Sequence, residues 1–112
     1  MLITFKNKKL EKEFSDEKAL KRRWGSEQAK LIARRLTELV AAENLETLRK
    51  LPQVRAHELS GDRAGQISLD VKQPYRLLIV PDHEEKPLKE DGGLDWQRIT
   101  KVKVLGVEDV HG

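Results

Sequence analysis

Residues 57–80 read HELSGDRAGQISLDVKQPYRLLIV, and this stretch decides the fold. Three short runs, at about 55–59, 66–71 and 75–80, the latter two rich in Ile, Leu and Val, are separated by Ser60-Gly61-Asp62-Arg63-Ala64-Gly65 and by Lys72-Gln73-Pro74. Short β-prone runs divided by turns of Gly, Asp and Pro predict an antiparallel meander. Four polar residues that a core has no use for stand in or beside it: His57, Ser60, Arg63 and Arg76.

Upstream of the meander the pattern is helical. Leu2-Ile3-Thr4-Phe5 reads as a short first strand, and Leu10 and Phe14, four apart, as one face of a short helix over 8–14. Ser15-Asp16 can cap a second segment over 17–24, with Leu20 and Trp24 on one side and Gly25 as its stop. Ser26 then caps the longest helix, 27–43, whose Ala29, Ile32, Ala33, Leu36, Leu39 and Val40 form an apolar stripe at helical spacing. Lys30, Arg34 and Glu38 run along the opposite side, and Arg34 and Arg35 are candidates for a basic docking surface. Asn44 caps a final turn through Leu45, Leu48 and Leu51, which Pro52 ends.

Downstream, residues 81–98 hold two prolines and Gly92-Gly93 among many charges, and predict a long polar loop anchored by Trp96. His83 in this loop is assigned to solvent. The last strand is 99–110: Val102 and Val104 alternate with Lys101 and Lys103. Gly106 breaks the alternation, and a bulge there would put Val107, Asp109 and His111 on a common face. The 112 residues form one domain, 1–112, of α+β class.

Composition narrows the function. No cysteine is available for disulfides or thiolate chemistry, and no apolar run reaches the roughly 20 residues of a membrane span. Without a signal-peptide pattern at the start, the expectation is a soluble cytoplasmic protein. Residues 1–55 carry 14 Lys and Arg against 8 Asp and Glu, while residues 56–112 carry 8 against 11. A basic helical half suits an acidic partner such as nucleic acid, a ribosome or an acidic protein segment, although solvated helix faces are also commonly basic. No metal constellation, P-loop or Gly-rich dinucleotide motif is present, so no cofactor is expected.

Metal-free cleavage of RNA needs a base for the 2′-hydroxyl, cations for the phosphoryl oxygens and an acid for the leaving 5′-oxygen. Histidine titrates near neutrality, and arginine pairs with phosphate oxygens through its planar fork. If the last strand pairs beside the meander, His57, Arg76 and His111 can converge on one face. The plainer readings are a half-exposed structural histidine at 57, a turn ion pair or carbonyl contact for Arg63, and an internal carboxylate for Arg76.

The run His57-Glu58-Leu59-Ser60-Gly61-Asp62-Arg63 with Gly65-Gln66, then Tyr75-Arg76-Leu77, then Asp109-Val110-His111, resembles the plasmid-maintenance killer toxins. These are the HigB-type toxins of the RelE/ParE superfamily. The likeness extends over nearly the whole chain, including Leu88-Lys89-Glu90-Asp91-Gly92-Gly93 in the long loop. It implies a RelE-like fold, with an N-terminal strand and two main helices packed on an antiparallel sheet formed mainly by the C-terminal half. It also implies a ribosome-dependent mRNA endonuclease without cofactor. The implied partners are the ribosome, mRNA and a cognate antitoxin, often a helix-turn-helix protein, through which alone the toxin would reach operator DNA.

By the same resemblance His57, Arg76 and His111 are catalytic, and Ser60, Arg63 and Asp109 contact RNA or phosphate. The family usually has lysine where this chain has Ser60 and tyrosine where it has Val110. Two other outcomes stay open: a gyrase-directed toxin of the ParE branch, and a decayed toxin that retains only antitoxin binding.

Overall fold

Three polar side chains set where the helices begin. Asn7 accepts from Leu10 N at 2.8 Å, Asp16 from Lys18 N at 3.0 Å and Asn44 from Thr47 N at 2.9 Å. Each satisfies a backbone donor that the first helical turn leaves free. In the computed structural model, which describes residues 1–110, they open α1 (Lys8–Phe14), α2 (Glu17–Ala41) and α3 (Leu45–Arg49). The strands are β1 (Leu2–Phe5), β2 (His57–Glu58), β3 (Ile67–Asp70), β4 (Tyr75–Pro81) and β5 (Lys101–Asp109), with 3-10 turns at Gly61–Arg63 and Trp96–Arg98. No helix of the described residues is long and apolar enough to cross a membrane.

Gly25 divides α2 as its composition predicts. At φ 83° and ψ 164° it turns the chain out of the helix, a conformation that costs glycine little and other residues more. The longer piece departs from the apolar-stripe reading in an instructive way. Its buried face is Gln28, Ile32, Arg35 and Leu39, together with Ala29, whereas Ala33 is exposed and Val40 is 62% exposed. Arg35, expected on a basic outer surface, is therefore internal. The reason lies in the backbone at the end of β3. Gln28 donates Nε2 to Lys72 O at 3.2 Å and accepts from Lys72 N at 2.8 Å, and Arg35 donates Nε to Asp70 O at 2.7 Å. Peptide groups that the helix partly shields from water need partners, so polar side chains hold positions that hydrophobicity alone gives to Ala33 and Val40.

The five strands form one sheet in the order β1-β5-β4-β3-β2. All neighbours are antiparallel except β1 and β5, which run parallel from Leu2↔Lys101 to Phe5↔Val104. The expected antiparallel sheet is thus a mixed one. A parallel neighbour demands a long crossover, and here nearly the whole chain lies between the two strands. The first meander strand is shorter than expected, because Arg55 takes a left-handed φ of 47° and pairing starts only at His57. β5 carries the bulge: Leu78 pairs with Gly106 and Ile79 with Val104, leaving Leu105 over.

Ile67, Leu69, Leu77, Ile79, Val102, Val104 and Val107 pack with Ile32, Leu39, Leu45 and Leu48 of the helices. The polar loop is pinned to this body. Trp96 is buried, donates to Glu58 at 3.3 Å and lies under the Arg49 guanidinium at 3.7 Å. His83 is not given over to solvent: it is half-buried, and its Nε2 accepts from Thr100 N at 3.1 Å.

Two outcomes follow from these contacts. Gln28→Ala removes the partner of Lys72 N, while Lys72 O keeps its bond from Tyr75 N at 3.1 Å, and is expected to lower stability by about 1 kcal/mol in urea denaturation, while Glu27→Ala changes it by less than about 0.5 kcal/mol. Asp82, whose carboxyl receives the Thr4 hydroxyl and lies near Lys101 and Lys103, titrates below the usual aspartate range. A depressed carboxyl stabilises the fold above its unfolded-state pKa and loses that contribution as pH falls through the folded value. Thr4→Val therefore raises the Asp82 pKa in an NMR titration, and its stability deficit against wild type shrinks on acidification below about pH 4.

Candidate active site

Strand register sorts the polar residues onto one face. Leu69, Leu77 and Val107 pair across β3, β4 and β5 on the helix side. Neighbouring residues along a strand point to opposite sides, so the next row, Asp70, Arg76 and Glu108, stands on the far face. His57, Ser68, Leu78 and Gly106 form the row beside it. His57 and Arg76 thus share a face, two strands and two residues apart, a Cα separation of roughly 12 Å for ordinary strand geometry. The arginine side chain spans much of that gap. Its Nη2 donates to Arg55 O at 2.9 Å, two residues before His57, and lies 3.5 Å from Ser68 O.

Arg76 is not presented to solvent. Its side chain is 12% exposed, and Nη1 lies 3.3 Å from Asp70 Oδ1. Burial pulls its pKa below the ordinary arginine value; the Asp70 charge opposes that shift and the Arg55 charge adds to it. Of the readings that the sequence left open, the internal carboxylate is the one realised. The pairing is incomplete, however: Arg76 Nε and Asp70 Oδ1 are buried without hydrogen-bond partners. Arg63 is also paired, but differently from the sequence expectation. Among the described residues it reaches from the β2–β3 connection to Glu108 at 3.2 Å and to Gln66 at 3.4 Å, not to Asp62 or a carbonyl. That contact folds the Gly61–Arg63 turn across the face that carries Arg76.

The remaining candidates separate. Ser60 is exposed at the start of the turn, and its carbonyl accepts from Arg63 N at 3.2 Å. Asp109 pairs with Tyr75, one residue past the Arg76↔Glu108 pair, so it stands on the helix side with Val107 and away from Arg76. The common face expected for Val107 and Asp109 exists, but it is the other face. Val110 is half-buried, and His111 lies outside the described residues.

What the sequence reading missed is Arg55. It is exposed and, among the described residues, has no ion-pair partner, and its backbone is joined to Arg76. A non-glycine residue at positive φ beside a histidine is the kind of local strain that collects at functional positions. Asp70 was within reach of sequence reasoning, since Asp70 and Arg76 are equidistant from Gln73 at the centre of the hairpin connection. Among the described residues no cluster of three or more His, Asp or Glu could hold a metal ion. The arrangement offers an exposed imidazole, two exposed or half-exposed guanidinium groups and a half-buried ion pair, Asp70–Arg76, on the same side of the sheet.

Arg76→Ala leaves the Asp70 carboxylate without its cation and is expected to cost about 3 kcal/mol by denaturant unfolding, with Asp70→Ala similar. The double variant Asp70→Leu/Arg76→Leu is expected to recover most of that loss.

Residues 3–86 match a family model described as the RelE-like toxin of the type II toxin-antitoxin system HigB. No curated protein matches the chain.

Proposed function

Because the chain belongs to the HigB-like family of RelE-like toxins of type II toxin-antitoxin systems, whose partner is an antitoxin, we propose that it cuts messenger RNA on the ribosome with the far face of its sheet. The observation that carries this reading is that the exposed His57 and the Arg76 guanidinium stand on one side of the sheet, with Arg63 held against Glu108 of the same row and the Arg55 charge near enough to Arg76 to lower its pKa. In this mechanism His57 removes the proton of a 2′-hydroxyl, the 2′-oxygen attacks the adjacent phosphorus, and the 5′-oxygen leaves with a proton. His111, which the family resemblance places among the catalytic residues, is our candidate for the donor of that proton. Arg55 and Arg63 stabilise the charge gathering on the phosphoryl oxygens. Arg76 is a positioning residue: through Arg55 O and Asp70 it holds the segment that carries Arg55 and His57.

A specific observation favours a second reading, a toxin that keeps its fold and its antitoxin but cuts RNA poorly. Asp70 neutralises Arg76, Ser60 stands where the family has lysine, and Val110 stands where it has tyrosine. One experiment separates the two. The toxin is induced without antitoxin, and mRNA 5′ ends are mapped across the transcriptome. Under the leading reading new ends accumulate at discrete positions, and His57→Ala lowers their yield roughly 100-fold or more while the protein stays folded. Ser60→Lys with Val110→Tyr is expected to raise the yield, by as much as roughly 100-fold. If wild type yields no new ends and only the restored variant does, the second reading holds. If His57→Ala cuts like wild type, the site is elsewhere.

A further inference from the structure

The long loop that follows β4 is more tightly braced than its composition suggests. Lys89 N donates to Gly93 O at 2.8 Å, Gly92 N to Lys89 O at 2.9 Å and Asp95 N to Pro87 O at 2.9 Å, so 87–95 forms a small hairpin of its own. Pro87, Leu94 and Trp96 are buried. This braced segment meets the β2 region twice. Trp96 Nε1 donates to Glu58 Oε1 at 3.3 Å, with the indole held under Arg49 of α3. Lys86 reaches over the β2–β3 connection, its Nζ 3.9 Å from where a Cβ on Gly65 would stand.

The strand that carries His57 needs such support. It is two residues long, lies at the edge of the sheet and, among the described residues, pairs with β3 alone. The His57 imidazole makes no hydrogen bond to the described residues, so the backbone of β2 is what aims it. Adjacent side chains of a strand point to opposite faces. Glu58 pairs with Ile67 of the core and stands on the helix side, while His57 stands on the far face. Anchoring Glu58 therefore fixes the roll of β2 about its own axis, and with it the direction in which the imidazole projects. Arg76 holds the approach to β2 through Arg55 O, and Trp96 holds the strand itself.

We infer that Trp96, acting through the Glu58 carboxylate, is a positioning residue for His57, and that the long loop is a splint for the strand that carries it. The consequence for cutting rests on the mRNA-cutting reading above; the effect on the strand does not. Misplacing a catalytic group by about 1 Å costs roughly 100-fold in rate, so a loosened β2 acts on the chemical step more than on RNA binding.

The test uses the full chain and reads the strand and the reaction separately. Leu59 N bonds Gln66 O at 2.9 Å at the end of β2, and Asp70 N bonds Val54 O at 2.7 Å on the neighbouring strand. In Trp96→Phe and in Glu58→Ala, NMR hydrogen exchange is expected to speed up about tenfold at Leu59 and by less than about threefold at Asp70. Glu58→Gln keeps an oxygen for the indole N–H and recovers most of the protection. In mRNA cleavage on purified ribosomes, kcat falls about tenfold in Trp96→Phe and Glu58→Ala with KM within about twofold, and Glu58→Gln restores it. Neither loss recurs in a His57→Ala background, because both act through that imidazole. Glu58 is exposed, so Glu58→Ala tests the contact even if Trp96→Phe unfolds. Unchanged Leu59 exchange in Glu58→Ala overturns the inference. So does Glu58→Gln behaving like Glu58→Ala, or a loss of kcat that persists undiminished beside His57→Ala. If the wild-type chain cuts nothing, the mRNA-cutting reading falls, and the exchange measurement decides the splint alone.

Discussion

The end of β3 is held from both sides of the sheet, and the rest of the structure depends on that clamp. From the helix side Arg35 takes the carbonyl of Asp70, and Gln28 takes both backbone groups of Lys72. From the far side Arg76 takes the carboxylate of Asp70. A backbone bond from Asp70 N to Val54 O, at 2.7 Å, ties the same residue to the chain leading into β2. One aspartate therefore orders a helix, a hairpin and the approach to His57. Removing any single partner leaves buried polar groups unmatched, which costs more than the contact is worth in isolation.

This clamp also shapes the candidate site. A guanidinium that faced solvent would be free to meet a phosphate, but it would leave the half-buried Asp70 carboxylate without its cation. The molecule keeps the internal pair instead, and the charge nearer solvent is that of exposed Arg55 and of Arg63, itself half-buried against Glu108. Arg76 then acts at one remove, through the carbonyl of Arg55, on the segment that presents the imidazole.

Much of the fold was legible from local signals. Helix starts at Asp16 and Asn44, the break at Gly25, the meander and the bulge at Gly106 each follow from one residue's backbone preference or capping chemistry. The errors share a cause of a different kind. Arg35 and Gln28 are buried, and Val40 is exposed, because peptide groups of β3 need donors and acceptors that only tertiary structure brings near. The parallel β1–β5 pair joins the two ends of the chain, a contact no window of sequence contains. Arg63 found Glu108, 45 residues away, for the same reason. Of the candidate residues, His57 and Arg76 share a face of the sheet, as the sequence reading expected of them. The site's internal pairing was not legible, and Asp109 fell on the opposite face because register, not proximity in sequence, decides the side.

The central claim is that RNA meets this protein at His57, Arg55 and Arg63 while Arg76 stays bound to Asp70. The direct measurement is NMR of the histidine rings and arginine side chains during titration with a short 2′-O-methyl oligoribonucleotide, which can bind but cannot be cut. The account predicts saturable shifts at His57, Arg55 and Arg63, with the Arg76 signals still coupled to the Asp70 carboxylate. Shifts confined to the helix layer, or release of Arg76 from Asp70 to the oligonucleotide with His57 unmoved, would contradict it.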